Sequence, residues 1–125
     1  KERTAFGQPI AQFQGLRWMV ADMAMQIEAA RHLVYRAAAL ADAGAAGRDL
    51  APLASMAKCF ATDVAMKVAV DACQILGGYG VLQDYPLERF LRDAKLLQIV
   101  EGTNQIQRNI IADAVIGRTG RPAAG

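Results

Sequence analysis

A regular spacing of apolar residues over the first third of the chain restricts the fold more than any other feature. From Leu16 to Ala41 the apolar positions alternate in steps of four and three residues, the heptad pattern of a helix that packs along one seam. The pattern predicts a helix from about Ile10 to about Ala43, of a length typical of bundle rods, ended by Gly44 and Gly47. The predicted seam is Leu16, Val20, Met23, Ile27, Ala30, Val34, Ala37 and Ala41.

A second long helix is predicted from about Asp49 to Leu76, where Gly77 and Gly78 stop it. Asp49 is the candidate N-cap, although Pro52 then stands at the third helical position rather than the favoured first. Because both helices are rich in alanine and joined by a short loop, we expect close antiparallel packing. The buried stripe should be Leu53, Ala57, Phe60, Val64, Val68, Ala72 and Ile75, with Lys58, Thr62 and Lys67 on the opposite face.

Two shorter helices follow, and no strand is predicted anywhere in the chain, Arg3–Pro9 being interpreted as a loop. Asp84 is the candidate N-cap of the first short helix, with Pro86 in its first turn. Thr103 is the candidate N-cap of the second, which runs to about Ile116. Their apolar faces are Leu87, Phe90, Leu91, Ala94 and Leu97 in the first, and Ile106, Ile110, Ile111, Ala114 and Val115 in the second.

These elements predict an all-α, up-down helical bundle over residues 1–118, followed by a flexible tail over residues 119–125. Two long and two short helices do not complete a four-helix bundle. One long helix is therefore expected upstream of Lys1, and a first residue other than methionine agrees with a piece of a longer polypeptide.

Composition and charge argue against several classes of protein. The chain is 54% hydrophobic, which is too apolar for a disordered segment. Its net charge is +2 with basic and acidic residues interleaved, so no nucleic-acid partner is expected, and no apolar run has the length of a membrane span. Cys59 and Cys73 lie in apolar helical patterns, which favours buried thiols over a disulfide or metal site. The single histidine, His32, argues against a zinc site or a Ser-His-Asp triad.

A single carboxylate stands between the two short helices. Glu101 follows an apolar run and precedes Gly102 and Thr103, and Gly102 relaxes the backbone where a side chain must turn away from a helix axis. One interpretation is an acid that stabilises the positive end of the last helix. The other is a functional carboxylate held in a turn and backed by apolar side chains. This segment alone favours the first interpretation, because acids near helix starts are ordinary.

Several separate motifs occur in a fixed order along the chain. They are Arg3 with Phe6-Gly7, then Gln74–Gly80, Asp84–Arg89, Arg92–Lys95, and Glu101-Gly102-Thr103 with Ile106-Gln107-Arg108. In this order the chain resembles the C-terminal helical domain of the FAD-dependent acyl-CoA dehydrogenases from Arg3 to about Arg118. Each motif is weak alone, and their order makes the resemblance specific.

The resemblance implies that the intact protein oxidises acyl-CoA thioesters to trans-2-enoyl-CoA, as in fatty-acid β-oxidation. In that family a base removes the α-proton while hydride passes from the β-carbon to N5 of FAD. Glu101 matches the base, and its backbone N–H matches a donor to the thioester carbonyl. Glu101 and Gly102 are therefore the expected substrate-binding residues. The chain on its own is expected to be inactive.

The same resemblance implies two groups of FAD contacts. Thr103 and Gln105 match contacts to the phosphate or ribityl groups, which suits a helix N-terminus; alternatively, Thr103 only caps the helix and Gln105 only faces solvent. The second group matches contacts to the FAD of a neighbouring subunit in a homodimer or homotetramer. It consists of Arg3, Phe6, Gln14, Gln74, Gly77 and Gly78.

The cross-subunit residues also have ordinary structural explanations. Arg3 suits a pyrophosphate and Phe6 suits stacking on adenine, but they could equally be a loop charge and a hydrophobic anchor. Gln74, Gly77 and Gly78 could form a helix end and a turn, which is compatible with a cofactor contact.

Partners and specificity follow from the resemblance only in outline. Electron-transfer flavoprotein is the expected electron acceptor, and the location would be the cytoplasm of a bacterium or the mitochondrial matrix of a eukaryote. An acyl-CoA oxidase and a non-catalytic helical assembly module are the alternatives. Val100 stands where many relatives carry an aromatic residue, which leaves acyl chain length and branching open. Glu101 argues against relatives whose base is an aspartate or lies on another helix.

Overall fold

α-Helices make up most of the structure, a computed structural model that describes residues 1–118. The helices are α1 (Gln14–Asp42), α2 (Ala51–Leu76), α3 (Leu87–Leu97) and α4 (Asn104–Ile116), with 3-10 turns at Ile10–Gln12 and Gly77–Val81. This confirms the helical-bundle prediction. The tail predicted for residues 119–125 lies outside the described residues. None of the helices within residues 1–118 has the length and hydropathy needed to cross a membrane.

The prediction of a strandless loop at Arg3–Pro9 was wrong in part. Two short strands, β1 (Thr4–Ala5) and β2 (Gln8–Pro9), pair antiparallel with Thr4 opposite Pro9. Phe6 and Gly7 form the turn with φ angles of 51° and 78°, the positive values that a two-residue type I′ hairpin turn requires. Strands of two residues are too short to produce an alternating pattern that the sequence could reveal. The hairpin also moves the start of α1 from the predicted Ile10 to Gln14.

Helix α1 uses a different seam from the predicted one. Leu16, Met23, Ala30 and Ala37 are buried or half-buried as expected. The alternate predicted positions remain exposed: Val20 by 53%, Ile27 by 40% and Val34 by 42%. Their places are taken by half-buried Met19, Gln26, Leu33 and Leu40. A helix this rich in alanine is apolar on two adjacent faces, so spacing alone does not decide which face its neighbour covers.

Helix α2 is the central element and contacts α1, α3 and α4. Leu53, Ala57 and Val64 of its predicted stripe are buried, whereas Phe60 is 39% exposed. Small buried side chains on the other faces, including Ser55, Cys59 and Ala69, allow three neighbours to approach the same rod.

The helix caps agree with the sequence at some ends only. Helix α2 ends at Leu76 as predicted, and Thr103 caps α4 by accepting the N–H of Ile106. The N-caps predicted at Asp49 and Asp84 were wrong, because α2 begins after Leu50 and α3 after Pro86, without a side-chain cap. Pro52 lies in the first turn of α2 and supplies the required φ there, whereas Pro86 itself occupies the N-cap position of α3.

Helix α4 packs on α2 through polar side chains rather than through its predicted apolar stripe. Asn104 and Gln107 are buried, while Ile106, Ile110 and Val115 are 53%, 36% and 71% exposed. Asn104 is buried because α2 presents hydrogen-bonding side chains at this contact. Of the predicted apolar stripe of α4, Ile111 is half-buried, and Ile110 and Ala114 line a cleft beside the start of α2.

Gly80 is where the chain after α2 folds back on its own helix. A Cβ at this position would stand 2.5 Å from the carbonyl oxygen of Cys73, and the thiol of Cys73 donates to the Gly80 carbonyl at 3.4 Å. Because the obstructing atom belongs to backbone inside a helix, it cannot move aside cheaply.

We predict that Gly80→Ala lowers the free energy of unfolding by about 1–3 kcal/mol, the usual cost of overpacking. Gly15→Ala is the matched control, since a Cβ there meets nothing within 4 Å and Gly15 lies inside α1. The control should be neutral or slightly stabilising. Urea unfolding of both variants tests this, and equal effects would contradict the tight approach.

Candidate active site

The turn that carries Glu101 joins the end of α3 to the start of α4. Glu101 and Gly102 are both left-handed, with φ angles of 55° and 86°. For a non-glycine residue this conformation costs about 1–2 kcal/mol, and such strain is concentrated at functional sites. A Cβ at Gly102 would also lie 2.8 Å from the side-chain nitrogen of Gln107, so the Gln107 amide would have to move. The sequence located the turn at Gly102 but not the strain at Glu101 itself.

Side chains from two helices hold the carbonyl oxygens of this turn. The Gln107 amide donates to Glu101 O at 3.0 Å and to Gly102 O at 3.4 Å. The Lys58 ammonium, from α2, donates to Gly102 O at 2.8 Å. The Glu101 side chain is exposed, and within residues 1–118 its carboxylate makes no hydrogen bond or ion pair. The backbone is therefore held firmly while the carboxylate is left for another partner.

Behind the turn, the amide of Asn104 is 3% exposed and fully engaged with α2. Its oxygen accepts from Lys58 Nζ at 2.7 Å. Its nitrogen donates to Asp63 Oδ1 at 2.7 Å and to Thr62 Oγ1 at 2.8 Å. A buried amide satisfied on both sides admits one orientation, so it fixes the first residue of α4 against α2.

Asp63 is the acceptor on which the network converges. Besides Asn104, it accepts from Gln98 Nε2 at 2.7 Å and from Arg108 Nη2 at 2.5 Å. Burial raises the pKa of Asp63, but the hydrogen bonds from Arg108, Asn104 and Gln98 and the charge of Arg108 outweigh it and hold that pKa below 3.8. Asp63 is thus an anion that ties the end of α3 to the first turns of α4.

Sequence reasoning missed this network. It placed Lys58 and Thr62 on the face of α2 opposite the buried stripe, without a partner there, whereas both are half-buried and hydrogen-bonded to Asn104. The available signal was the run of polar residues at positions 58, 62 and 63 of an otherwise apolar helix. A matching polar set, Asn104, Gln107 and Arg108, stands at the start of α4.

The remaining predicted site residues fall into two places. Thr103 and Gln105 lie with Glu101 at the start of α4, where Thr103 Oγ1 accepts the Ile106 N–H at 3.4 Å and Gln105 is exposed. Arg3 lies at the other end of α2, and its Nη1 donates to Leu76 O at 2.9 Å.

Around Arg3 the structure assembles an open surface patch. The Arg3 guanidinium lies 4.8 Å from the centre of the Tyr79 ring, beside Gly77 and Gly78, where a Cβ would meet nothing within 4 Å. Phe6 is 96% exposed at the hairpin tip, and its ring meets Phe13 edge-on at 6.2 Å. Gln14 and Gln74 are exposed. A cleft of about 710 Å³ is lined by Lys1, Glu2, Arg3, Ile10, Ile75, Leu76, Tyr79 and Tyr85.

The two places are well separated. At about 1.5 Å of rise per residue, Leu76 lies about 20 Å from Asp63 along α2. The chain therefore presents two distinct surfaces, one around Glu101 and one around Arg3.

Residues 1–116 match the model of the acyl-CoA dehydrogenase C-terminal domain. The chain belongs to this family. It is 57% identical over 120 residues to an acyl-CoA dehydrogenase of Bacillus subtilis, covering 95% of this chain and 31% of that protein.

Several solved structures share the fold of this chain. Butyryl-CoA dehydrogenase from Megasphaera elsdenii superposes with a TM-score of 0.87 at 47% identity, covering 91% of this chain and 29% of that one. A chain from work on the electron transferring flavoprotein of Acidaminococcus fermentans gives 0.89 at 53% identity, covering 94% and 30%. A chain of the FAD complex of PigA gives 0.82 at 34% identity, covering 90% and 28%. The acyl-CoA dehydrogenase domain thus spans about 30% of the length of the relatives it matches.

We predict that Asp63→Asn lowers stability at neutral pH by about 1–3 kcal/mol, because Arg108 loses its charge partner inside a connected network. The folded pKa of Asp63 lies below the ordinary 3.8, so its contribution is present above that pH and is lost as the pH falls through the folded value. The difference in the free energy of unfolding between wild type and variant should therefore become smaller below about pH 4. Urea unfolding across pH measures it.

Asp71→Asn serves as the control for this experiment. Asp71 pairs with Lys67 one turn away on the surface of α2, at 2.7 Å. Such a pair contributes about 0.2–0.5 kcal/mol. A loss at Asp63 no larger than at Asp71, or a gap that widens in acid, would contradict the role given to Asp63.

Proposed function

We propose that this domain supplies the catalytic base of an FAD-dependent acyl-CoA dehydrogenase, with Glu101 as that base. The observation that carries the proposal is the strained Glu101 turn, whose carbonyls are held by Lys58 and Gln107 while the carboxylate stays exposed and uncommitted. An acid that only stabilised the helix end would not require a left-handed backbone. The membership of the chain in the acyl-CoA dehydrogenase family supports the reaction class.

In the proposed reaction, Glu101 removes the α-proton of an acyl-CoA thioester. The N–H of Glu101 donates to the thioester carbonyl and stabilises the negative charge that develops there. FAD supplies the acceptor for the hydride that leaves the β-carbon, giving the trans-2-enoyl-CoA. A strained but fixed turn suits this work, because a base is effective only when it is held at the proton it abstracts.

The residues around Arg3 fit an FAD contact. Arg3 has more N–H donors than the one it gives to Leu76, so donors remain for a phosphate. Gly77 and Gly78 leave open space where a side chain would stand, and Phe6 offers an exposed ring for stacking on adenine. Thr103 and Gln105 are proposed to contact the FAD that serves Glu101.

We further propose a homo-oligomer in which the Arg3 surface contacts the FAD of a neighbouring subunit. The separation of about 20 Å between the Arg3 and Glu101 surfaces along α2 supports assigning them to different cofactors. Electron-transfer flavoprotein is the proposed electron acceptor, which accords with a structural relative from work on such a flavoprotein.

Replacing Glu101 with glutamine tests the base directly. Glu101→Gln keeps the shape of the side chain but cannot accept a proton, so flavin reduction by acyl-CoA should fall by about 10²–10⁴-fold. FAD content and substrate binding should persist, because the backbone N–H remains. Anaerobic stopped-flow recording of flavin bleaching in the full-length protein measures the rate.

Glu28→Gln is the control for this test, since Glu28 pairs with Arg31 on the surface of α1. It should bleach at the wild-type rate. If Glu101→Gln lost only the fraction of a kcal/mol expected for a helix-end charge and bleached normally, Glu101 would not be the base.

Arg3→Ala should weaken FAD retention and oligomer stability together in the full-length protein, because the proposed contact crosses subunits. Flavin fluorescence released on dilution reports FAD retention, and analytical ultracentrifugation reports the dissociation of subunits. Arg36→Ala, an exposed change on α1, is the control. Unchanged FAD affinity and unchanged dissociation of subunits would reject the cross-subunit role.

A further inference from the structure

The Glu101 turn does not hold its conformation by itself. Two consecutive left-handed residues, one of them not glycine, persist only where surrounding contacts outweigh the strain. Gln107 supplies a local contact from α4, the helix that follows the turn. The contact from elsewhere in the fold is Lys58, which lies 44 residues earlier in the chain than the Gly102 carbonyl it binds.

Lys58 is itself held in place. Its ammonium also donates to the buried oxygen of Asn104 at 2.7 Å, so one cation bridges the turn and the first residue of α4. A lysine anchored at two points positions the Gly102 carbonyl more tightly than a freely rotating surface lysine would. The same ammonium therefore links the strained peptide to the rigid rod of α2.

Asp63 fixes the two ends of the turn. It binds Gln98, the residue that follows α3, and also Asn104 and Arg108 in the first turns of α4. One carboxylate thus sets the distance between the points where the chain enters and leaves the turn. Glu101 lies between those points.

We propose that Lys58 and Asp63, joined through Asn104, are positioning residues for the base of the reaction. They act on the backbone of the turn and leave the Glu101 carboxylate free. The inference rests on the proposed function, since it assigns a consequence for proton abstraction to a network that is otherwise structural. A shift of about 1 Å in a reacting group is enough to cost about 10²-fold in rate.

Lys58→Met in the full-length, FAD-loaded protein is the test, because methionine keeps the length and apolar stem and removes the donor. We expect kcat, and the rate of flavin bleaching, to fall by about 10–10²-fold with KM and FAD content little changed. Hydrogen exchange should quicken in peptides covering residues 98–107 and stay unchanged elsewhere. Lys67→Met, an exposed lysine of the same helix paired with Asp71, should alter neither quantity.

A milder variant keeps the test valid if Lys58→Met folds poorly. Gln98→Met removes one bond to Asp63 from the other end of the turn, and it should give the same pattern with a smaller loss. A lower kcat together with faster exchange over residues 98–107 identifies a positioning residue, and a lower melting temperature does not. A merely structural residue would lower stability and leave kcat per flavin-loaded molecule intact.

The outcomes separate this inference from the proposed function. Unchanged exchange over residues 98–107 in Lys58→Met would overturn the positioning of the turn, whatever the activity. Faster exchange with normal kcat would overturn its consequence for catalysis. If the wild type failed to reduce its flavin with any acyl-CoA, the proposed function would fail, while quickened exchange would still establish that Lys58 holds the turn.

Discussion

The contact between the buried Asn104 amide and the polar side chains of α2 determines where the Glu101 turn lies. Lys58, Thr62 and Asp63 saturate that amide, and the first residue of α4 is fixed as a result. An unsatisfied buried amide would cost about 1–3 kcal/mol, so alternative placements of α4 on α2 are disfavoured. Polar contacts of this kind specify one arrangement where apolar packing would tolerate several.

The same contact between Asn104 and α2 explains why the polar face of α4 is buried while apolar side chains of this helix are exposed. Its polar face is used for attachment to α2, which leaves Ile106, Ile110 and Val115 exposed. Helix α1 also carries exposed large apolar side chains, with Trp18, Met25 and Tyr35 more than half exposed. Exposed apolar surface on this scale marks contact surfaces, and it lies on the helices that flank α2.

The two candidate surfaces depend on α2 in different ways. The Glu101 turn is held by side chains in the first half of that helix, whereas Arg3 binds the carbonyl of Leu76 at its C-terminal end. Arginine at a helix C-terminus also meets the negative end of the helix dipole, which stabilises the Arg3 hairpin there. The length of α2 thereby sets the spacing between the proposed base and the proposed cofactor contact.

The sequence by itself determined the helices, the end of α2, the Thr103 cap and the Glu101-Gly102-Thr103 motif. These depend on periodicity and on residues with strong local preferences, such as glycine after a helix. Only the tertiary structure decided which face of α1 is covered, that Glu101 itself is left-handed, and that Lys58 and Asp63 hold its turn. The contacts of Lys58 and Asp63 with the turn join residues more than 30 positions apart, such as Asp63 with Gln98, and local spacing carries no record of them.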